Sequence, residues 1–344
     1  MNRYHRQTLL PQIGQAGQDR LAQARVLLIG CGALGTNVAE QLVRAGVGFL
    51  RIADRDIVEL TNLQRQVLFT EDDAKRAWPK AAAAAERLGV INSSVSVEPL
   101  VVDVHAGNIQ SLVQVGESRV SLIIDGTDNV ATRYLINDVA VKHGIPWIYG
   151  ACIGTQGRVM TVRPGISACL RCVFPTPPAA DELPTCDTAG VLGPAAAIVG
   201  ALQAAAAIKL LTGNESAVGE ELLTLDVWSN RAHAVSLSEA RRRDCVCCAQ
   251  RRFEFLSNTT GQSTVALCGR NAIQVRADAT VELGSIAERW HRLGAVEKSP
   301  FFVRCRLTDP ADTTLTLFAD GRLIIHGTQD PARAKSLYAR FVGS

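Results

Sequence analysis

The chain has 344 residues, enough for two domains and a sizeable core, and its 47% hydrophobic and 20% charged residues are those of an ordinary globular protein. A net charge of +3 gives no default case for nucleic acid or an anionic membrane as a partner. The opening residues from Met1 to Gln7 are polar with no apolar centre, so no secretory signal is expected. The ten cysteines then point to metal or thiol chemistry in a reducing cytoplasm rather than to a disulfide framework.

Residues 1–24 read as a helix-rich lead-in whose Arg3 and Arg6 bracket Tyr4 and His5; by composition alone these arginines belong to a solvated surface. Val26 to Ile29 then forms a short apolar run with the branching of a buried strand. Gly30, Gly32 and Gly35 follow in G-x-G-x-x-G spacing and open a helical pattern, and a second apolar segment ends at Asp54. Such glycines permit a tight turn, the approach of a phosphate to the backbone, and close helix–strand packing. The helix start adds free N–H groups and a positive dipole end. Asp54, 24 residues after Gly30, stands where an acidic side chain reaches a ribose hydroxyl. The unit reads as a nucleotide-binding βαβ, with the nucleotide left open.

The polar loop 56–66 carries Asp56, Asn62 and Arg65, side chains suited to phosphate or ribose. Trp78-Pro79 precedes a helical run that begins at Lys80. A cation in the first turn gains nothing from the helix dipole, so Lys80 is either simply solvated or faces an anionic ligand. Residues 95–100 and 121–124 read as strands, the second ending in Asp125-Gly126-Thr127-Asp128-Asn129. Polar residues just past a parallel strand are where α/β sheets place ligand contacts, although Asn129 also suits a plain helix cap. With a further strand at 145–149, the alternation predicts a Rossmann-like, mostly parallel sheet with helices on both faces.

Beyond this point 158–163, 222–227 and 232–237 read as strands of an antiparallel extension. Between them lie a loop with Pro175, Pro177, Pro178 and Pro184, and a nearly uncharged stretch, 189–211. That stretch is rich in alanine and glycine, interrupted by Pro194, and carries Gln203, which favours a tightly packed internal helix over a membrane span. The expected organisation is a domain over 1–248, a linker over 249–262, and a small α+β domain over 263–344. In the last, 282–293 has helical spacing, 315–318 and 322–325 flank an Asp-Gly turn, and Asp330-Pro331 starts a final helix.

Cys169 and Cys172, with Cys245 and Cys248, make two C-x-x-C pairs 73 residues apart. Four thiolates suit a closed, structural zinc, whereas redox or buried thiols are the alternatives. Cys247 is surplus to the spacing. Cys186 precedes the apolar stretch, where a thiol is either a nucleophile near a helix start or a small buried group. Cys31, Cys152, Cys268 and Cys305 are expected to pack.

In order, RYHRQ (3–7), GCGALG (30–35), the Asp54/Asp56 pair, NLQRQ (62–66), PK (79–80), TDN (127–129), CLRC (169–172), TCDTAGV (185–191) and CVCC (245–248) resemble one family. It is that of the ThiF/MoeB/HesA-type adenylyltransferases, bacterial relatives of ubiquitin-activating enzymes. The resemblance covers residues 3–248 and leaves out the C-terminal unit. It implies ATP as the bound nucleotide, with magnesium, and adenylylation of the C-terminal glycine of a small ubiquitin-like sulfur carrier ending in Gly-Gly, in thiamine- or molybdopterin-type sulfur transfer. By the same match Arg65 and Lys80 clamp the triphosphate and Arg6 reaches in from the other subunit of a homodimer. Asp128 holds magnesium, Asp54 the ribose, and Asn62 helps position the phosphates. Cys186 matches a position that some members link covalently to the carrier and others dispense with. Ala33 replaces a glycine common in relatives, a small change that binding should survive. No rhodanese-like segment is recognisable, so the sulfur source stays open.

Three other readings stand beside this one. The same chemistry can activate another carboxylate, on a peptide or a tRNA. A nicotinamide-dependent oxidoreductase explains the glycines and Asp54 but leaves Arg65, Lys80, Asp128 and the paired cysteines without a role. A non-catalytic carrier-binding protein does not need the charged set. No membrane or nucleic-acid partner is expected.

Overall fold

The computed structural model describes residues 3–178, 186–257, 264–267, 271–276 and 280–343. The chain divides into two compact units, Met1–Thr259 and Thr260–Ser344.

In the first unit, α1 (His5–Thr8) and α2 (Gly14–Gln23) lead into β1 (Arg25–Ile29), α3 (Ala33–Ala45) and β2 (Phe49–Asp54). Then come α4 (Glu71–Lys75), α5 (Lys80–Ile91), β3 (Ser96–Val101), α6 (Ile109–Leu112) and a small hairpin of β4 (Gln114–Val115) and β5 (Ser118–Arg119). β6 (Leu122–Asp125), α7 (Val130–His143), β7 (Trp147–Ile153), β8 (Gln156–Val162) and α8 (Leu170–Val173) follow. The unit closes with α9 (Cys186–Ala189), α10 (Gly193–Leu211), β9 (Glu221–Asp226), β10 (Arg231–Ser236) and α11 (Glu254–Ser257).

Eight of these strands form one sheet in the order β10-β9-β8-β7-β6-β1-β2-β3. The pairs from β7 through β3 are parallel, and those from β7 through β10 are antiparallel, as the sequence pattern predicts. Along β1 the side chains alternate: Val26 and Leu28 enter the core shared with α3, α5 and α10, while Leu27 and Ile29 enter the core of α7 and α8. The two faces are therefore both covered, which is why the strand is apolar from Val26 to Ile29. Chain order reverses at β1, whose neighbours are β2 and β6; Ile29 pairs with Ala53 on one side and Asp125 on the other. That topological switch point brings the exits of β1, β2 and β6 together, where open α/β sheets bind ligands.

α10 is long and apolar enough to cross a membrane, by length and composition. Here it lies on the sheet. Its Gly200 lets α3 approach so closely that an added Cβ would lie 2.7 Å from Asn37 Cβ. Its buried Gln203 donates to the Asp125 carbonyl at 2.7 Å. The helix begins at Gly193 rather than 189, because Gly190 and Leu192 pair with the β7–β8 turn at Gly154.

The second unit is a six-stranded antiparallel sheet of β11 (Thr264–Leu267), β12 (Ala272–Val275), β13 (Gly294–Lys298), β14 (Phe302–Leu307), β15 (Thr314–Phe318) and β16 (Leu323–His326). Their order is β11-β12-β16-β15-β14-β13, and α12 (Leu283–Trp290) and α13 (Pro331–Phe341) complete the core around Trp290, Leu315 and Phe341. The expected hairpin forms with Leu317 opposite Leu323, and Gly321 turns it at φ +79°. Asp330 caps α13 by accepting from the Ala332 amide at 2.9 Å. The stretch expected as a linker contains α11, held because Asp138 Oδ2 accepts from the Phe255 and Leu256 amides. Cys268 lies outside the described residues.

Candidate active site

The three glycines of the first loop have different work. Gly30 adopts φ +88°, and a side chain there would run into the backbone of Gly126 and Thr127. A Cβ on Gly35 would fall on the Gly30 carbonyl. These two positions are closed by the protein's own packing. At Gly32, by contrast, an added Cβ would meet only Gln66 Nε2, at 3.8 Å. The space above Gly32, at the start of α3, is open to a ligand, and the helix start there favours an anion. Gln66 is buried, and its side chain borders this opening.

Asp54 leaves β2 beside that loop. Its Oδ2 accepts from the Cys31 amide at 2.6 Å and its Oδ1 from the Asp56 amide at 2.7 Å. Surrounding atoms strip most of its water although part of its surface stays open. That burial raises its pKa, against the opposing pull of Lys80 and with the further push of Asp56. Burial and the Asp54 charge likewise raise the pKa of the Cys31 thiol, which packs as expected. Lys80, the first residue of α5, is buried, with Nζ 3.0 Å from Asp56 Oδ2. It is not a solvated lysine.

The exit of β6 is braced from beneath. Asp125 is fully buried; it accepts from the Thr127 amide at 2.9 Å and its hydroxyl at 2.7 Å, and pairs with Arg133 at 3.1 Å. Arg133 also donates to the Thr127 carbonyl at 2.7 Å and the Gly150 carbonyl at 3.2 Å. Burial raises the Asp125 pKa while Arg133 and Thr127 oppose it. Above this brace Asp128 is exposed and makes no hydrogen bond among the described residues. Its charge helps to raise the pKa of Arg55 and of Arg133, against the burial of each. Asn129 caps α7, its Oδ1 accepting from the Thr132 amide at 3.0 Å. That is the plain capping alternative, and among the described residues its side chain bonds only to Thr132.

Asn62 is also locally engaged, with Oδ1 accepting from the Glu59 amide at 3.1 Å in a short 3₁₀ turn. Arg65 is half-buried just after it and donates to the Thr61 carbonyl at 3.0 Å. The start of α10 abuts the same turn, since a Cβ on Gly193 would lie 2.9 Å from the Gln64 carbonyl. Arg6 is elsewhere. Arg3 donates to the Ile91 carbonyl at 3.0 Å, Asn92 to the Tyr4 hydroxyl at 2.8 Å, and Gln7 to the Ala45 carbonyl at 3.0 Å. These contacts pin α1 to the far ends of α3 and α5. The 13 residues of α3 put about 20 Å between it and the glycine loop. Exposed Arg6 does not reach its own chain's site.

Cys169, Cys172, Cys245 and Cys248 converge, with all four Sγ atoms within 4.8 Å of one another. The Sγ atoms of Cys169 and Cys172 are 3.8 Å apart, those of Cys169 and Cys245 3.6 Å, and those of Cys172 and Cys248 3.5 Å. Tetrahedral zinc with its usual Zn–S length requires about 3.8 Å, so the set fits that ion. The neighbouring thiols Cys172, Cys247 and Cys248 lower the pKa of Cys169, and Cys172 is pushed up to about 11 by Cys169. Cys247, the surplus thiol, is buried and takes a hydrogen bond from Asn137 Nδ2 at 3.2 Å. Cys186 opens α9, and the chain just after it is pinned at Gly154, whose amide donates to the Gly190 carbonyl at 2.8 Å. Its side chain lies outside the described atoms.

Sequence reading missed Asp125, Arg133, Gln66 and Arg55, which contacts Asp103 at 3.2 Å. Only Gln203, an isolated amide in an apolar helix, left a usable signal.

The ThiF family profile matches residues 4–247. The chain is 46% identical over 348 residues to the sulfur carrier protein ThiS adenylyltransferase of Bacillus subtilis, across 99% of each chain. It is 39% identical over 253 residues to the sulfur carrier protein adenylyltransferase of Thermus thermophilus, across 72% of this chain and 90% of that one. Among solved structures, E. coli MccB with ATP shares the fold at TM-score 0.62 and 22% identity, covering 72% of this chain and 75% of the other. With its glycine loop, its β2 and β6 exits and its four-cysteine cluster placed on that fold, the chain belongs to the ThiF family.

Proposed function

We propose that this protein uses ATP to adenylylate the C-terminal glycine of a small ubiquitin-like sulfur carrier ending in Gly-Gly, in thiamine- or molybdopterin-type sulfur transfer. The observation that carries this reading is the 46% identity, over 99% of both chains, to a ThiS adenylyltransferase. The placement of the charged residues supports it.

In the proposed reaction a carrier carboxylate oxygen attacks the α-phosphorus of ATP. The bond from that phosphorus to the bridging oxygen breaks, and pyrophosphate leaves with the electron pair. The chain must hold the triphosphate and spread the growing negative charge. Lys80 and Arg65 are the cations proposed to hold the triphosphate, and the open space at Gly32 leaves room for phosphate. Asp54 keeps lone pairs for the ribose after accepting its two amides. Asn62 shapes the 62–66 loop, and Asn129 holds the start of α7. Asp128, a hard oxygen ligand without a hydrogen bond among the described residues, would hold magnesium. When bound, magnesium neutralises charge on the leaving phosphates. Zinc, held by Cys169, Cys172, Cys245 and Cys248, would tie α8 to the segment after β10.

Arg6 is proposed to act in the site of a second subunit, because its own lies about 20 Å away along α3. The active unit is therefore a homodimer. Cys186 is the thiol proposed for a covalent link to the carrier. Residues 1–248 carry the chemistry and 263–344 form an accessory domain. A cytoplasmic setting supplies ATP and suits a chain with ten cysteines.

The test is ATP–pyrophosphate exchange in the presence of a Gly-Gly carrier. Exchange that needs the carrier and vanishes when its terminal glycine is removed is the expected result. Failure of every such carrier to support exchange overturns the proposal.

A further inference from the structure

We propose that Asp56 is a positioning residue that acts through Lys80, and that it touches neither nucleotide nor metal. This rests on the reading of the site as an ATP site and reassigns a residue whose sequence context suggests a nucleotide contact.

Lys80 is a difficult place for a cation. It stands at the positive end of α5, and its side chain is only 6% exposed. A buried ammonium on a flexible four-carbon stem needs a fixed partner, or it turns away toward water. Asp56 meets it at two points. The Lys80 amide donates to the Asp56 carbonyl at 2.8 Å, and Lys80 Nζ donates to Asp56 Oδ2 at 3.0 Å. The grip is backed by its neighbours. Ile57 and Pro79 form an antiparallel bridge, and the Val58 amide donates to the Trp78 carbonyl at 2.8 Å. The strand exit and the helix entry are thus stitched together just where the lysine emerges.

Asp56 is itself aimed from the other side. Its amide donates to Asp54 Oδ1, while Asp54 Oδ2 holds the Cys31 amide in the glycine loop. A continuous line of hydrogen bonds therefore runs from the phosphate-facing loop through Asp54 and Asp56 to the lysine. Asp56 Oδ2 is committed to Lys80, and Arg55 Nε lies 4.0 Å from Oδ1, so both carboxylate oxygens face cations of this chain. Asp128, exposed at the β6 exit, is differently placed and has no such engagement among the described residues.

A double-mutant cycle decides the matter, with Asp56→Asn, Lys80→Ala and the pair measured by ATP binding in a calorimeter and by carrier-dependent exchange. Asp56→Asn should lower exchange about 100-fold, as misplacing a reacting group does, with a smaller change in KM for ATP. In the Lys80→Ala background the same substitution should change either readout less than about 2-fold. Asp56→Glu should recover part of the loss. Retention of the full Asp56→Asn effect in the Lys80→Ala background overturns the proposal, since Asp56 would then act directly. So does wild-type activity in Asp56→Asn. If Asp56→Asn fails to fold, the Asp56→Glu cycle decides by the same criterion. ATP binding needs no carrier, so failure of the wild-type chain to support exchange would count against the proposed reaction and leave the binding cycle to judge Asp56.

Discussion

The Cys31 amide donates to Asp54 Oδ2 at 2.6 Å, so the carboxylate at the end of β2 holds the glycine loop as well as facing the nucleotide opening. One side chain thereby joins the exits of two adjacent strands. Its ionisation controls both.

Burial raises the Asp54 pKa from 3.8, and Lys80 opposes that rise. A carboxyl whose folded pKa exceeds its unfolded one binds its proton early on acidification. Asp54 thus subtracts stability above the folded pKa and returns it as pH falls through that value. ATP affinity should move the other way, because the ionised form accepts the amides and the ribose. Calorimetry should show affinity falling on acidification through the raised Asp54 pKa, with a shallower dependence in Asp54→Asn, where ATP itself still titrates. A flat wild-type profile would contradict this role.

The glycines should separate folding from binding. Gly35→Ala forces a methyl group onto the Gly30 carbonyl and should cost about 3 kcal/mol or more in urea unfolding. Gly32 has φ −91° and open space, so Gly32→Ala should cost about 1 kcal/mol or less. Its ATP affinity should nevertheless fall at least ~10-fold, because the methyl occupies phosphate space. Equal losses of stability in the two variants would refute the distinction.

Metal analysis should find about one zinc per chain. Chelation, or Cys172→Ser, should lower the Tm by about 10 °C, through loss of the clip between α8 and the segment after β10. Cys247→Ser should keep its zinc, since Cys247 faces Asn137. Loss of zinc in Cys247→Ser with retention in Cys172→Ser would reverse the ligand assignment.

Arg6 offers a test of subunit sharing. Arg6→Ala and Lys80→Ala chains should each be nearly inactive in exchange. Mixed and re-equilibrated, half of the dimers are heterodimers with one intact site of two, so about a quarter of wild-type activity should return. No recovery would place Arg6 outside the partner's site.

Much of this protein is legible in its sequence because the signals are local. The glycine spacing, the apolar run before it and Asp54 after it are set by neighbouring residues, as are the Asp-Gly hairpin at 320–321 and the Asp330 cap. The ordered motif series identifies the family for the same reason, and the C-x-x-C pairs announce a metal set although 73 residues separate them. Side-chain partners are another matter. Nothing in the sequence shows that Asp56 meets Lys80, the first residue of α5, at 3.0 Å, or that Asn129 caps α7. Asp125 and Arg133 read as loop and helix residues, yet they form a buried ion pair at 3.1 Å beneath Asp128.

By itself, then, the amino-acid sequence determined the Rossmann-like sheet, the antiparallel extension, the glycine loop and the paired cysteines, since periodicity, turn chemistry and spacing act along the chain. Only the tertiary structure decided which charges meet, that Gly30 and Gly35 serve packing while Gly32 leaves space, and that Arg6 faces away from its own site. Those outcomes depend on distances between strands and helices far apart in sequence, which only packing brings together.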